Sequence, residues 1–384
     1  VNTFCILPWI HLLIAFSGDV YCCCRTRNQK YKIGNIYEKS IEEIINSREI
    51  KRIRVEMINN RKLRMCQPCY NDGAFSMRVS LNKVFFNEFN YAELVEKTSF
   101  DGNVRNYYPQ YVELHLSNKC NFKCRTCNSR FSTSWNEDAI KINNGRYVYY
   151  PHKSIKNIQD IISFENIKWI RFAGGEPLIS DEHYKLVEYL ISNNLSKNIS
   201  LLYNTNLSCL HYKKWDSIDL WKNFKHIKLL ASIDDSYERG EYIRKGQKWS
   251  EIIKNRDKIL NSNLDIEFKL FPLISIFNIW HLPDFISDWS DSGFVDKFSC
   301  SIIKNVDWLK IQILPNNFKD KIKEKYKKFR FPSHIQKFMY NIVGHLYSED
   351  LYEKLFPKFV EMTTMIDKMR GENYLDIFEE LRGL

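Results

Sequence analysis

The stretch Ser117-Asn118-Lys119-Cys120-Asn121-Phe122-Lys123-Cys124-Arg125-Thr126-Cys127 decides the reading of this chain. Its three cysteines are spaced C-x3-C-x2-C, and it follows directly on Val112, Leu114 and Leu116, which alternate as strand residues do. Cys120, Cys124 and Cys127 are thus expected in a strand-to-helix loop. Three thiolates can bind three corners of a cubane iron–sulfur cluster. One iron then lacks a protein ligand and stays open to a substrate or cofactor. A structural zinc site would need a fourth ligand, for which His115, on the strand face shared with Glu113, is the nearest candidate.

Outward from this loop, residues 110–305 alternate strand and helix. Strands are expected at 112–116, 167–173, 200–203, 226–233, 264–270 and 298–303. Between them, Tyr184, Val187, Leu190 and Ile191 mark one helix, with Asp181 and Glu182 in its first turn. Residues 249–260 mark another, opened by Ser250 as N-cap. The pattern implies an α/β fold with a parallel sheet, a partial (β/α)6 barrel whose chemistry sits at the carboxyl ends of the strands. Three polar or glycine-rich stretches fall at such ends: Ala173-Gly174-Gly175-Glu176-Pro177, Tyr203-Asn204-Thr205-Asn206 and Ala231-Ser232-Ile233-Asp234-Asp235, the last followed by Arg244-Lys245-Gly246. Glycines allow close backbone approach to a ligand, and a guanidinium can clamp a carboxylate.

In this order, the four stretches resemble the radical S-adenosylmethionine (SAM) superfamily. The resemblance implies that Cys120, Cys124 and Cys127 hold a [4Fe–4S] cluster whose open iron is chelated by SAM. Reductive cleavage of SAM would then give a 5′-deoxyadenosyl radical that abstracts hydrogen from a substrate C–H bond. It further implies SAM contacts from Phe122, Gly174, Gly175, Glu176, Pro177, Asn204, Thr205, Asn206, Ser232, Asp234 and Arg244. Asp235 stands where the family usually has glycine.

A second cysteine group precedes the first: Cys5, Cys22, Cys23, Cys24, Cys66 and Cys69. Gly18-Asp19 flanked by apolar residues signals a hairpin, and Ser40 and Glu43 have capping-box spacing ahead of Ile41, Ile44 and Ile45. This region resembles the twitch (half-SPASM) unit that carries an auxiliary [4Fe–4S] cluster, although in most relatives that unit follows the core. The resemblance implies Cys5, Cys23, Cys66 and Cys69 as ligands, with Cys22 and Cys24 as alternatives facing opposite to Cys23 on a strand. A zinc site built on the same cysteines is the rival.

Composition sets the remaining bounds. With 384 residues, 44% of them apolar, the chain can bury a large core and is not disordered. An odd count of 11 cysteines, unevenly grouped, argues against a disulfide framework. The apolar stretch 6–16 contains His11, is about half the ~20 residues a membrane span needs, and lacks the flanks of a secretory signal. A cytoplasmic location is expected, with no membrane partner. The net charge of +11 is dispersed. It permits nucleic acid, which no motif supports, and suits an acidic reductant of the flavodoxin or ferredoxin type, the family's expectation. The expected organisation is a cysteine-rich unit (1–75), a connecting region (76–109), the core (110–305) and a helical C-terminal extension (306–384) without a chemical motif. The expected substrate is a peptide or protein. The alternatives are oxidation or rearrangement of a sugar-like or phosphorylated metabolite, and RNA modification.

Overall fold

The computed structural model describes residues 3–27, 29–72, 76–105, 108–142, 148–289 and 298–384. The chain divides into two compact units. The first runs up to Asn118 and takes in Lys153–Leu202 and Asp219–Ile227. The second comprises Lys119–His152, Tyr203–Ile218 and Lys228–Leu384.

In the first unit, strands β1 (His11–Ile14) and β2 (Asp19–Tyr21) form the expected hairpin, with Leu13 opposite Tyr21. Gly18 turns it at φ +83°, where a side chain is strained and a Cβ would meet the Tyr37 ring at 2.6 Å. β2 pairs antiparallel with β3 (Gly34–Asn35). The helix Ile41–Ile45 begins with the capping box read from Ser40 and Glu43, and it buries Ile41, Ile44 and Ile45. β1 lies parallel to β4 (Tyr111–Leu114), with His11 beside Tyr111 and Ile14 beside Leu114. β4 in turn lies parallel to β5 (Trp169–Phe172). Every residue of β1 and β4 is buried, as parallel strands covered on both faces must be. The helix Asp181–Ser192 follows, its N-terminus capped by Ser180 and its first turn holding Asp181 and Glu182, with Tyr184, Leu186, Val187 and Leu190 buried.

Three further strands are β6 (Ser200–Thr205), β7 (His226–Ala231) and β8 (Ile266–Leu270). β6 and β7 run through both units. The strand order in the sheet is β8-β7-β6-β5-β4-β1-β2-β3. Five of the six expected barrel strands occupy it in sequence order. The sixth is reduced: Phe298 makes a single parallel bridge to Leu270, and Ser301–Ile302 pairs with Leu273–Ile274 apart from the main sheet. Pro272, which has no N–H to give a ladder, separates Leu273 from β8.

In the second unit the helix Trp249–Leu260 starts one residue before the expected cap. Ser250 lies inside it, and Glu241 accepts the Trp249 N–H at 2.7 Å in place of a capping serine. The C-terminal region is helical as expected, with Asn316–Lys327, Ser333–Leu346, Tyr352–Arg370 and Tyr374–Ile377. Among the described residues no helix is long and apolar enough to cross a membrane.

Candidate functional site

The Cys120–Cys127 loop carries little regular structure, so its shape is set by what grips its backbone. Lys123 N–H donates to the Lys245 carbonyl and Arg125 N–H to the Ile243 carbonyl, both at 2.8 Å. The loop is thereby laced to the segment bearing Arg244. Ser134 donates to the Cys120 carbonyl (2.7 Å), Ser132 to that of Phe122 (2.5 Å) and the Trp135 indole to that of Cys124 (2.9 Å). Phe122 is buried, and Gly246, at φ +110°, leaves room where a Cβ would stand 2.9 Å from the Asn121 carbonyl and the Phe122 ring. Cys124 is buried; Cys120 and Cys127 are half-buried. Burial pushes the Cys127 thiol up to about 12, with the Cys124 charge adding to it. Burial also raises Cys124, against the pull of Arg244. Such thiols ionise only beside a strong cationic centre, which the irons of a cluster supply. By their chemistry the three thiols of this loop suit such a group, while among the described residues no three His, Cys, Asp or Glu side chains are placed to hold a single metal ion.

Asp234, fully buried, holds Arg244 in a bidentate ion pair: Nη2 donates to Oδ1 at 2.9 Å and Nε lies 2.8 Å from Oδ2. This sets Arg244 Nη1 4.0 Å from Cys124 Sγ. The guanidinium expected to clamp a carboxylate is already clamped by one, and its charge is directed at the cysteine loop. Asp235 is integrated as well, accepting from Arg239 Nε (3.1 Å) and the Ser236 amide (2.8 Å) and paired with His281 Nδ1 (2.7 Å). Asn206 donates to the Asn121 side chain at 2.9 Å, the Ser232 amide to the Thr205 carbonyl at 2.8 Å, and Asn204 lies half-buried in β6. Thus Phe122, Thr205, Asn206, Ser232, Asp234 and Arg244 all lie in the second unit with the three cysteines.

The Gly174–Pro177 stretch belongs to the first unit. Gly174 has φ +112°, and a Cβ there would come 2.9 Å from the Ser117 carbonyl and 3.3 Å from His115 Cβ. The Gly175 amide donates to the same Ser117 carbonyl at 3.0 Å. Glu176 accepts the Leu178 amide at 3.0 Å and so opens the short turn Pro177–Ile179.

Also in the first unit, the amino-terminal cysteines gather. Burial drives the Cys5 thiol upward, and the charges of Cys66, Cys22 and Cys69 add to the effect. Burial likewise lifts Cys22 to about 12 and Cys66 to about 11. Cys23 is raised by its hydrogen bond with Cys24 and by burial, and it senses Cys22 and Cys5; its sulfur accepts the Arg25 amide at 3.4 Å. The alternation expected of Cys22, Cys23 and Cys24 does not apply, because the strand ends at Tyr21 and Cys24 begins a 3-10 turn. Cys24 turns its sulfur to Met77 Sδ at 3.6 Å. All six cysteines of this group thus influence one another electrostatically, more than the four a cluster needs.

Sequence reading missed a buried polar cluster beside them. Arg27 Nη1, which can only donate, lies 3.1 Å from His115 Nδ1. His115 therefore carries its proton on Nε2, which faces Glu113 Oε1 at 2.8 Å. Arg171 Nη1 lies 3.6 Å and His11 Nε2 3.8 Å from Oε2 of the same carboxylate. Burial opposes the Glu113 charge, but Arg171 and His115 outweigh it and hold the carboxyl well below its usual range. Burial keeps His115 and His11 neutral-leaning, with lowered pKa values. Both ring nitrogens of His115 are occupied, so it is not a spare metal ligand. The sequence signal was the alternation of Glu113 and His115; their cationic partners lie far away in the chain.

Residues 114–287 match the family model of the radical SAM superfamily, and residues 5–70 match that of the SPASM iron–sulfur cluster-binding domain. Curated relatives include the GTP 3′,8-cyclase of Staphylococcus epidermidis, 24% identical over 202 residues (44% of this chain, 56% of the relative). That of Campylobacter lari is 21% identical over 215 residues (54% and 56%). The chain spans a little over half the length of these relatives. Similar solved structures include anSMEcpe with bound AdoMet (13% identity, TM-score 0.40, 57% of this chain and 60% of that one). Another is Streptococcus suis SuiB bound to its precursor peptide SuiA (12%, 0.38, 65% and 60%). The two family models imply SAM with a [4Fe–4S] cluster in the core and an auxiliary iron–sulfur cluster ahead of it. By these matches residues 114–287 carry a radical SAM domain, preceded at residues 5–70 by a SPASM-type iron–sulfur cluster-binding domain.

Proposed function

We propose that this enzyme cleaves SAM reductively and uses the resulting radical to take a hydrogen atom from a peptide or protein substrate. The observation that carries the reading is the buried Asp234–Arg244 pair held against Cys124 in a loop with two further cysteines. When bound, the cluster and SAM supply the one-electron reduction and the 5′-deoxyadenosyl radical; the protein's share is binding, orientation and exclusion of water.

Cys120, Cys124 and Cys127 would hold the core cluster. Arg244 offsets the negative charge gathered there, and Asp234 fixes its orientation. Gly174 and Gly175 present backbone rather than side chain at the end of β5. In the N-terminal domain, Cys5, Cys66 and Cys69 would ligate the auxiliary cluster with Cys23, whose sulfur already accepts an amide hydrogen bond, as cluster thiolates commonly do. The SPASM-type domain supports a peptide or protein substrate, since many members of the branch that carries such clusters act on one. A second reading, a nucleotide-like metabolite, is favoured by the likeness to GTP 3′,8-cyclases.

The test is anaerobic. The reconstituted protein receives SAM and dithionite, and 5′-deoxyadenosine is quantified beside a Cys120→Ala/Cys124→Ala/Cys127→Ala variant. Product from the wild type alone supports the reading. Zinc rather than iron at the central site would overturn it.

A further inference from the structure

The C-terminal segment, in which the sequence shows no chemical motif, reaches into the cysteine loop. The helix Tyr352–Arg370 ends at Gly371, which takes the left-handed conformation (φ +67°) and turns the chain so that Asp367, Arg370 and Glu372 all address the loop. Arg125, between the second and third cysteines, is 2% exposed. Its Nη2 donates to Asp367 Oδ1 at 2.5 Å and to Glu372 Oε2 at 2.6 Å. Its guanidinium lies 3.6 Å over the Tyr242 ring, and the Tyr242 hydroxyl donates to the same Asp367 oxygen at 2.7 Å.

Arg370 completes the grip. Its Nη2 donates to the carbonyl of Lys123, the residue before Cys124, at 2.9 Å, and its Nε donates to Asp138 at 2.8 Å. It also lies 4.7 Å over Trp135, whose indole holds the Cys124 carbonyl. Glu372 takes a further ion pair from Lys245 at 2.7 Å, beside Arg244. Both sides of Cys124 are therefore fixed by residues about 240 positions later in the chain. A buried guanidinium shared by two carboxylates has little freedom to rotate, because any movement leaves a charge without a partner in a poorly solvated place.

From this we infer that Asp367, Arg370 and Glu372 are positioning residues for the SAM-binding cluster: they hold the cysteine loop in the shape that retains the cluster and admits SAM. The inference rests on the function proposed above. Groups that orient metal ligands typically change metal affinity about 10- to 100-fold when removed.

The experiment uses the full chain, reconstituted anaerobically, as wild type, Arg370→Met, Asp367→Asn and Arg370→Lys. Iron per chain, the EPR spectrum of the dithionite-reduced protein with and without SAM, and the melting temperature are measured on each. The wild type is expected to carry about eight irons, four for each cluster. Arg370→Met and Asp367→Asn should lose core-cluster iron and the SAM-induced change in the EPR spectrum, while the auxiliary signal stays. Arg370→Lys should recover part of the loss, since it keeps a charge for Asp138 but not two directed donors. Asp367→Asn preserves shape and so reports even if Arg370→Met folds poorly. The inference is overturned if both variants keep full iron and the SAM response. Equal loss of both clusters with a lower melting temperature also overturns it, since the segment would then merely support the fold. A wild type that binds iron but shows no SAM response would instead count against the proposed function.

Discussion

Glu113→Gln tests the buried polar cluster of the first unit most sharply, because the change keeps shape and removes one charge. Glu113 is the carboxylate that Arg171, His115 and His11 face, and it is 3% exposed. Removing one partner of a buried ion pair costs about 3–5 kcal/mol. Arg171 lies 3.6 Å away with 21% of its side chain exposed, so the lower end, about 3 kcal/mol, is expected. The sign of the pH dependence follows from the depressed Glu113 value. Its stabilisation is present above the ordinary carboxylate pKa of 4.5 and is lost as pH falls toward the folded-state value. The gap between wild type and variant should therefore narrow below pH 4.5. His11 and His115 titrate lower when folded than their ordinary 6.5, so both proteins should also weaken as pH falls below that point. Urea unfolding followed by far-UV circular dichroism at several pH values gives the comparison. A loss under about 1 kcal/mol, the range of an exposed pair, would refute the reasoning. So would a gap that persists undiminished in acid.

Three more expectations follow from single residues. Gly174→Ala should cost about 1–3 kcal/mol from strain at positive φ and from the clash with the Ser117 carbonyl, read as a lower urea midpoint together with weaker SAM binding by calorimetry. Cys23→Ala should remove up to about four irons per chain, whereas Cys24→Ala should not, as measured by iron assay after reconstitution. His183 is buried against Phe172 and Tyr184, and burial lowers its pKa to about 3, so it is neutral when folded. Stability should fall as pH drops from 6.5 toward that value, and His183→Phe should flatten this part of the profile in thermal melts.

The local signals were legible because their physics is local. The cysteine spacing, the strand alternation around Leu114, the Gly18 hairpin and the Ser40–Glu43 capping box each depend on neighbours within a few residues. They sufficed for the α/β class with its parallel sheet and for which stretches fall at the strand ends. Ser250 failed as a cap because Glu241, nine residues earlier, satisfies the helix start instead. The sixth strand pairs only in part because Pro272, in the partner it needed, has no N–H to give, although its carbonyl still accepts the Ser301 amide. The pairing of β1 with β4 could not be read, since a single histidine in one buried strand and a single glutamate in the other do not say which neighbour each strand will take. Nor could the roles of Arg27 and Arg171 beside Glu113, or of Asp367 and Arg370 beside Cys124. On the sequence these are ordinary charges on ordinary elements. Sequence alone thus determined which chemistry this protein is equipped for. Only the tertiary structure decided which distant charges surround the thiols, because burying a charge requires a partner, and that partner is chosen by packing rather than by position along the chain.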